Sequence, residues 1–448
     1  MITILDYFSK ESQDLYQTLQ AAGISEKTIV LEPNGFLPEG VICPFTYFLG
    51  DGDGQPRYFN QVKVPAFWEI RGTNQSGQIF QYNREKARIY YEDSTFRRFV
   101  KRVEWLGEDQ VIRLSEHYNQ VGRLYAKTVH DAQGQMLTTS YVDCEERECL
   151  VENHVTGDLV LSLQGEGLRF FHSRLDFYRF FLEYLSLDIN QICFNTLSTS
   201  FLLSYYLPVG SGQDFLFWQE PLGEEIPGNM RLILENDQLR CQKIIIPDFK
   251  TYQRALELVP EHQHRKIASL GYTYTFYKEN HLRSEALVLT NSDQIEQLTY
   301  LVEQLPQVTF RIAALTEMSS KLLGMLAYPN VVLYQNASSQ QIKNLLMSTD
   351  IFLDINYANE VMGANRQAFE HNLLLLAFHQ TLHDSRYVAA EHIFSSSEAE
   401  KMVATIQRVL ESLEEMSAAL HSQGQKAHYM DRLNFQECFK KLGGEIYG

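Results

Sequence analysis

Two glutamates in the C-terminal half of the chain are candidates for ligand chemistry. Glu360 and Glu370 flank a short helical pattern that ends just before an apolar run at residues 373–378. Anchored carboxylates accept hydrogen bonds from hydroxyl groups at a fixed geometry, which is the chemistry that holds a sugar or a ribose. A structural role is the alternative for Glu370, because Arg366 precedes it by four residues and the two can form an ordinary helical ion pair.

Histidine and cysteine spacing predicts neither a metal site nor a disulfide framework. The chain has 13 histidines and six cysteines, and only Cys144 and Cys149 lie close together. A structural zinc site would need a second such pair. His371, His379 and His383 are candidate bases, but they lack metal-ligand spacing with any carboxylate, so a structural role is favoured. We therefore expect no metal and no cofactor.

The composition is that of an acidic globular protein. Hydrophobic residues make up 44% of the chain, charged residues 21%, and the net charge is −17. Such a charge repels nucleic-acid phosphates and anionic lipid. Residues 1–5 are followed by charged residues rather than an apolar segment, and the aliphatic run at residues 373–378 is too short to cross a bilayer. These observations predict a cytoplasmic protein that does not bind nucleic acid.

The pattern of apolar residues predicts a multidomain α/β chain, because 448 residues exceed one hydrophobic core. Strand and helix signals alternate over 1–50 and again over 172–258, which together form a first Rossmann-like domain. Residues 51–171 between them show short apolar runs at hairpin spacing and predict an inserted antiparallel β-meander of about eight to ten strands. Residues 259–448 predict a second Rossmann-like domain with C-terminal helices.

Several segments together resemble a known family, although none of them alone is a catalytic signature. These segments are the opening helix at 12–22, 36–38, 56–60, 67–70, 151–158, 197–199, 330–333, 347–354, 359–370 and 372–378. Their order over the whole chain is similar to that of GT-B glycosyltransferase homologues. More narrowly, it resembles that of the GtfB-type stabilising subunits of the streptococcal accessory-secretion glycosylation system.

The resemblance implies a catalytically inactive subunit of a heterooligomer with a GT-B-like fold. Such a subunit binds the acceptor polypeptide and stabilises a homologous catalytic subunit. The pair adds N-acetylglucosamine from UDP-N-acetylglucosamine to Ser and Thr of a serine-rich surface adhesin before export. Through the complex, the chain could be peripheral at the inner face of the cell membrane. The alternative is an active retaining GT-B glycosyltransferase that uses UDP-sugar.

The residues expected at a donor site are only partly present. Retaining GT-B enzymes usually carry two glutamates separated by seven residues. Glu370 matches the second by its place before an apolar strand, whereas Met362 occupies the position of the first and Glu360 is two residues out of register. The loop at 290–293 offers no cation and the loop at 314–316 no glycine for a diphosphate. We therefore predict a vestigial donor site at Glu360, Met362 and Glu370.

Polar residues at the predicted strand ends are candidates for contact with an extended Ser/Thr-rich peptide. Such a peptide offers hydroxyl and backbone groups but little apolar area. Asn and Ser also form turns, so the hypothesis concerns the group and not each residue alone. The predicted acceptor-binding residues are Asn195, Ser198, Thr199, Asn291, Asn356, Asn359 and Asn365, with Ser292 beside them.

The predicted insert differs in charge from the rest of the chain. Between Arg57 and Lys127 there are 13 basic and eight acidic residues, and aromatic residues are interleaved with them. This is typical either of a solvated outer face or of a protein interface. A meander also has open edges that natural proteins cover or pair. The predicted contact with the catalytic subunit consists of Arg84, Lys86, Arg88, Arg97, Arg98, Lys101 and Arg102.

Overall fold

The chain opens with a strand, a helix and a second strand, all of which belong to the first of two structural units. Helix α1 begins after Ser9, whose Oγ accepts a hydrogen bond from the Ser12 N–H at 3.2 Å, and it ends at Gly23, where φ is 68°. The first elements are β1 (Ile2–Leu5), α1 (Lys10–Ala22), β2 (Lys27–Val30), β3 (Val41–Ile42) and α2 (Pro44–Tyr47).

In this computed structural model the described residues are 1–24, 27–50, 52–73, 75–92, 98–163, 165, 167–208 and 213–444. They form two units: unit 1 contains Met1–Gly271 with Arg432–Gly448, and unit 2 contains Tyr272–Asp431.

The predicted antiparallel meander is present and has ten strands. Each strand pairs with its neighbours in sequence, so the sheet runs in consecutive order from β4 to β13. The strands are β4 (Trp68–Gly72), β5 (Ser76–Gln81), β6 (Arg84–Tyr91), β7 (Val100–Leu106), β8 (Ile112–Tyr118), β9 (Leu124–His130), β10 (Met136–Val142), β11 (Glu148–Asn153), β12 (Leu159–Leu163) and β13 (Gly167–Phe171).

After the meander the chain returns to the parallel sheet of unit 1. That sheet has seven strands in the order β17-β16-β15-β14-β1-β2-β3. The elements are α3 (Arg174–Tyr184), β14 (Ile192–Phe194), α4 (Thr199–Tyr206), β15 (Asp214–Phe217), α5 (Gly228–Glu235), β16 (Cys241–Ile246), α6 (Phe249–Leu258) and β17 (Ile267–Ser269).

An aromatic cluster joins the meander to the α/β part of unit 1. The ring centroid of Phe45 on α2 lies 5.0 Å from that of Tyr141 on β10 and 5.3 Å from that of Phe177 on α3. All three side chains are fully buried. Each buried aromatic ring removes a large apolar area from water, so part of the chain's high aromatic content fixes the meander in place.

Unit 2 is a six-stranded parallel sheet in the order β20-β19-β18-β21-β22-β23. Successive residues of the strand at Glu285–Thr290 lie on opposite faces of the sheet: Val288 belongs to one apolar cluster and Leu287 belongs to another. Helices therefore cover both faces. The elements are β18 (Glu285–Thr290), α7 (Leu298–Gln304), β19 (Thr309–Ala314), α8 (Ser320–Leu323), β20 (Val331–Tyr334), α9 (Ser339–Ser348), β21 (Ile351–Asp354), α10 (Ala364–Glu370), β22 (Leu374–Phe378), β23 (Ile393–Phe394), α11 (Ala399–Val409) and α12 (Leu413–Lys426).

The unit boundaries differ from the sequence-based division at residue 258. Strand β17 pairs with β16 and keeps the chain in unit 1 up to Gly271. The last helix, α13 (Arg432–Lys441), returns to unit 1, where Gln436 Nε2 donates to the Ala22 carbonyl at 2.7 Å. The meander is likewise part of unit 1. None of the described helices combines the length and the apolar character that a membrane span requires.

Candidate functional site

Of the predicted donor residues, Glu360 lies at the carboxyl edge of the unit 2 sheet, where parallel α/β folds bind their ligands. Glu360 is in the loop between β21 and α10, and its Oε1 accepts a hydrogen bond from the Asn365 N–H at 2.9 Å. Burial raises the pKa of Glu360, and this hydrogen bond offsets only part of the rise. The carboxylate therefore fixes the start of α10.

Asp354, the last residue of β21, is the centre of a buried network at this edge. Its Oδ2 accepts from Asn365 Nδ2 at 2.9 Å and from the His383 N–H at 2.8 Å. His383 Nδ1 lies 2.5 Å from Asp354 Oδ1, and His383 Nε2 lies 2.6 Å from the Ala358 carbonyl oxygen. Both ring nitrogens thus face acceptors, which suits the doubly protonated imidazolium.

These contacts also shift the pKa of His383. Burial alone would lower the pKa of His383, but the hydrogen bond to Asp354, the Asp354 charge and the Ala358 carbonyl together raise it above its ordinary value. His383 therefore connects the end of β21 to the loop that follows it, which is the structural role that its sequence context favoured.

Asn356 also shapes this loop. Its Oδ1 accepts from Thr290 Oγ1 at 2.8 Å and from the Ala358 N–H at 3.2 Å, and its Nδ2 donates to the Ala358 carbonyl at 3.1 Å. The residue is buried. Of the asparagines predicted in unit 2 to bind an acceptor, Asn356 and Asn365 are therefore buried in the loop structure, whereas Asn359 is exposed and Asn291 half-buried.

The structure does not bring Glu360 and Glu370 together. Helix α10 starts at the carboxyl edge of the sheet and runs back, so Glu370, its last residue, lies near the amino edge. There the Glu370 carbonyl accepts from the Tyr277 N–H at 2.9 Å. Its Oε1 accepts from Arg366 Nε at 2.8 Å, which is the ordinary i,i+4 pair. Met362 has a φ of 55° and packs against an apolar cluster.

Charge at the carboxyl edge opposes a diphosphate. The loops after β18, β19, β20, β21 and β22 contain one arginine, Arg386, whose Nη2 lies 2.6 Å from Asp384 Oδ2. A leaving nucleotide needs cations or free backbone donors for its phosphates. Most of the charged side chains at this edge are instead negative, as the phosphates are. The carboxylates in these loops include Asp293, Glu296, Glu317, Glu360 and Asp384.

The acceptor residues predicted in unit 1 follow the carboxyl end of β14. Asn195 is buried, and its Nδ2 donates to Ser12 Oγ at 3.1 Å and to Gln219 Oε1 at 3.0 Å. Ser198 is exposed and Thr199 half-buried. Sequence reasoning missed the nearby Asp6, whose Oδ1 accepts from the Ser200 N–H at 2.8 Å. The sequence feature that could have identified Asp6 is its position directly after the buried strand β1.

The basic residues of the meander are largely paired within the sheet. Arg84 and Lys86 both contact Glu108, and Lys101 Nζ lies 3.1 Å from Glu92 Oε2. Arg88 pairs with Glu85, Arg102 pairs with Glu104, and the guanidinium of Arg98 lies 5.6 Å from the Phe59 ring centroid. Arg97 lies outside the described residues. The side chains of Arg84 and Lys101 are substantially exposed, at 44% and 46%.

A row of buried polar side chains crosses the meander and was not predicted. Strand register places Glu104 opposite Ser115, Ser115 opposite Thr128, Thr128 opposite Thr139, and Thr139 opposite Glu152. All five are buried. Buried polar groups need hydrogen-bond partners. The Thr128 and Thr139 hydroxyl oxygens lie 2.9 Å apart and form a hydrogen bond with each other.

Histidines complete this row. His130 Nε2 lies 3.0 Å from Ser115 Oγ, His117 Nε2 lies 3.2 Å from Thr128 Oγ1, and His154 Nε2 lies 2.8 Å from Thr139 Oγ1. Burial, with Arg102 and His130 nearby, lowers the pKa of His117 to about 4. The His117 ring is therefore neutral at physiological pH.

A Rossmann-like parallel sheet in each unit, with an antiparallel sheet in the first, defines a GT-B-like glycosyltransferase homologue. Family models match most of the chain: the GtfB N-terminal domain at residues 2–48, the GtfB middle domain at 68–172, the GtfB third domain at 174–258 and the GftB/GlyA-F C-terminal domain at 286–423.

Individual relatives are similar to this chain over its full length or nearly so. The chain is 51% identical to the protein from Streptococcus gordonii named UDP-N-acetylglucosamine--peptide N-acetylglucosaminyltransferase stabilizing protein GtfB, over 100% of both chains. It is also 51% identical to the protein of the same name from Streptococcus pneumoniae serotype 4, over 99% of this chain and 100% of that one. A chain in the crystal structure of the GtfA/B complex bound to UDP and GlcNAc is 51% identical, with a TM-score of 0.90 over 98% of this chain and 99% of that chain. The chain belongs to the GtfB family.

Proposed function

We propose that this chain is a non-catalytic subunit of a protein O-glycosyltransferase, which stabilises the catalytic subunit and binds the acceptor polypeptide. The observation that carries the proposal is the carboxyl edge of unit 2. There Asp354, Glu360 and His383 are bound to the chain's own groups, and the one arginine of the loops is paired with Asp384. This edge lacks the charge neutralisation that UDP-sugar chemistry needs.

The proposed partner is a homologous glycosyltransferase subunit. The similar chain of known structure comes from a GtfA/B complex, and the relatives are named for stabilising a transferase. In the described part of the meander, β4 and β13 each pair with a single neighbouring strand and so form its edges. Phe170 on β13 is 68% exposed and Phe67 beside β4 is 94% exposed. Open edges with exposed aromatic residues are suited to protein contact.

The proposed acceptor is a Ser/Thr-rich polypeptide, a serine-rich surface adhesin modified with N-acetylglucosamine before export. Modification before export implies a complex in the cytoplasm, where it could associate with the inner face of the membrane. Exposed polar residues beside strand ends support the acceptor role, because hydroxyl-rich peptides are recognised mainly through hydrogen bonds. In unit 1 these include Ser198, and in unit 2 Asn359.

The alternative is an active retaining transferase that uses Glu360 and Glu370. A donor site needs both carboxylates on one ligand at fixed geometry. Glu370 is at the amino end of β22 and is paired with Arg366, whereas Glu360 is at the carboxyl end of β21. This geometry disfavours the alternative.

Titration with UDP-N-acetylglucosamine tests the proposal. The purified chain should neither bind the nucleotide sugar in the micromolar range nor transfer the sugar to a Ser-rich peptide. Adding the catalytic subunit should produce transfer, and the catalytic subunit should lose activity faster on warming without this chain. Micromolar binding by the chain alone that is lost in Glu360→Gln or in Glu370→Ala would favour the active-enzyme alternative instead.

A further inference from the structure

Strand β4 (Trp68–Gly72) is one edge of the meander and carries an open row of backbone groups. Among the described residues it pairs with β5 alone, and beside this pair the Thr73 N–H donates to the Ser76 carbonyl at 2.8 Å. Residue pairs of an antiparallel ladder alternate between hydrogen-bonded and non-hydrogen-bonded, so the N–H and C=O groups of Ile70 and Gly72 point away from β5. No described residue of the chain pairs with them on that side.

This edge lacks two of the devices that protect edge strands in natural proteins, which include proline, β-bulges and covering loops. The strand contains no proline, and its register with β5 is unbroken. Phe67, directly before the strand, is 94% exposed and adds apolar area to the same edge. An open, regular edge of this kind is suited to receive a strand from another chain.

The sequence of β4 is complementary to itself in the antiparallel direction. When Ile70 of one copy lies opposite Ile70 of another, each Glu69 lies opposite Arg71 of the other copy. These two side chains are 62% and 53% exposed, and they lie on the same face of the strand, where Arg71 Nη2 is 2.9 Å from Glu69 Oε2. Opposite charges at directly opposed positions stabilise antiparallel strands. The pairing therefore gains two ion pairs between the copies.

Backbone groups and aromatic rings fit the same register. Because the N–H and C=O groups of Ile70 face outwards, two opposed Ile70 residues exchange two hydrogen bonds, and the Gly72 N–H reaches the Trp68 carbonyl of the other copy. Trp68 itself comes opposite Gly72, which has no side chain. There it meets the Phe59 ring, because an added Cβ at Gly72 would lie 2.6 Å from Phe59 Cε2. The register thus satisfies most of the open backbone groups and adds a contact between aromatic rings.

The opposite edge of the meander is less suited to a second copy. Strand β13 (Gly167–Phe171) has Arg169 at its centre. Antiparallel pairing about that residue places two arginines directly opposite each other, which is unfavourable. The symmetric register with complementary charges therefore belongs to β4 and not to β13.

We propose that the chain on its own forms a homodimer in which two β4 strands pair antiparallel about Ile70 and join two meanders into one sheet. The pairing has two-fold symmetry, the commonest symmetry of homo-oligomers. It involves about six residues of each copy, fewer than the roughly 20–30 of a standard interface, so the dimer is weak and reversible. The inference goes beyond the proposed function, because it concerns the chain without its catalytic subunit.

Sedimentation velocity of the purified full chain tests the proposal. Near physiological ionic strength, monomer and dimer should exchange with a dissociation constant on the order of 1–100 µM. Glu69→Arg places arginine opposite arginine at both contacts, and Arg71→Glu places glutamate opposite glutamate. Each variant should raise the dissociation constant about tenfold or more.

Mixing the two variants provides a test that a change in folding would not mimic. In an equimolar mixture, the Glu69→Arg chain carries two arginines on β4 and the Arg71→Glu chain carries two glutamates, so every opposed pair is attractive again. The mixture should form dimers about as tightly as the wild type, although each variant alone does not. The double variant Glu69→Arg, Arg71→Glu exchanges the two charges and should also dimerise. Arg254→Glu on α6, outside the meander, is the control and should dimerise like the wild type.

Three results would overturn the proposal. The first is a wild-type chain that remains monomeric at concentrations well above the expected dissociation constant. The second is a dimer that both single charge reversals leave unchanged, because it would then use another surface. The third is a mixture of the two folded variants that stays monomeric. Because the experiment contains no catalytic subunit, none of these outcomes bears on the proposed function.

Discussion

Arg174 on α3 contacts Glu152 on β11 through two guanidinium nitrogens, with Nε 2.5 Å from Oε1 and Nη2 3.0 Å from Oε2. Its Nη1 reaches Glu32, in the loop after β2, at 2.5 Å. One side chain thus links the meander to the parallel sheet of unit 1. Glu152 is only 3% exposed, so this contact offsets the cost of removing its carboxylate from water.

Arg174→Met should destabilise unit 1 strongly. The variant keeps much of the apolar stem but leaves the buried Glu152 carboxylate without its cation, for which we expect a cost of about 3–5 kcal/mol. Urea unfolding followed by circular dichroism measures the change in the free energy of unfolding. Arg179→Met, on the same helix but outside this contact, should change it by less than about 1 kcal/mol. Equal effects of the two variants would contradict the role of the Arg174–Glu152 pair.

The asparagines of unit 2 should separate into structural and binding residues. Asn356→Ala removes three hydrogen bonds in a buried loop and leaves the Thr290 hydroxyl without this partner, so it should cost about 1–3 kcal/mol of stability. Asn291→Ala with Asn359→Ala removes only exposed or half-buried groups and should leave stability within about 0.5 kcal/mol. Thermal unfolding of both variants measures these differences.

The same double variant tests the acceptor site. If Asn291 and Asn359 contact the acceptor, the variant should retain less Ser-rich peptide in a pull-down while its fold is unchanged. Ser198→Ala provides the corresponding test in unit 1. Wild-type retention by a folded Asn291→Ala, Asn359→Ala protein would remove these two residues from the acceptor surface.

The sequence predicted the type of each sheet, but it predicted neither where unit 1 ends nor at which end of the unit 2 sheet Glu370 lies. Alternating residues in strands such as β6 and continuous apolar residues in β22 indicate antiparallel and parallel sheets directly. By contrast, β17 has only three residues, too few for a pattern, so the end of unit 1 was placed too early. Motif spacing put Glu370 at the donor site, although a helix between parallel strands must end at the amino edge.

The buried polar row could not be predicted for a different reason. Its members share a face because strand pairing places each of them directly opposite the next. A one-residue shift moves a side chain to the other face of a sheet, and no sequence signal fixed the register of these strand pairs. Individually, Ser115 and Thr128 fit the pattern of ordinary solvent-facing strand residues.

Charge reversal on the exposed face of the meander should slow association with the catalytic subunit. Arg84→Glu with Lys101→Glu changes two side chains that are well exposed, and it adds negative charge beside Glu108 and Glu92. If the partner surface is acidic, we expect the association rate to fall about threefold to tenfold at low salt, with a smaller effect at high salt. Surface plasmon resonance at two salt concentrations measures it.

Arg254→Glu, an exposed charge reversal on α6, is the matched control and should leave the association rate near that of the wild type. If a folded Arg84→Glu, Lys101→Glu protein associates at the wild-type rate, the contact does not depend on these two charges. The edge strands of the meander, β4 and β13, are then the candidates for the contact. In that case Phe170→Asp, which places a charge on the exposed edge strand β13, should weaken the complex.

His117, which contacts the buried polar row, should make unit 1 sensitive to acid. The pKa of His117 is lowered to about 4 in the folded chain from 6.5 in the unfolded chain, chiefly by burial and further by Arg102 and His130. The unfolded chain therefore binds a proton at His117 first as the pH falls. This contribution to stability is fully present above pH 6.5, and it is lost progressively as the pH falls towards 4.

Replacing His117 should remove that part of the pH dependence. Between pH 6.5 and 4, the wild type should lose about 3 kcal/mol more of its free energy of unfolding than His117→Gln, because each unit of pKa shift corresponds to about 1.4 kcal/mol. Urea unfolding at a series of pH values measures the two slopes. His262→Gln, at an exposed position, should follow the wild-type slope. Parallel slopes for the wild type and His117→Gln would mean that His117 is not the group whose protonation is coupled to unfolding.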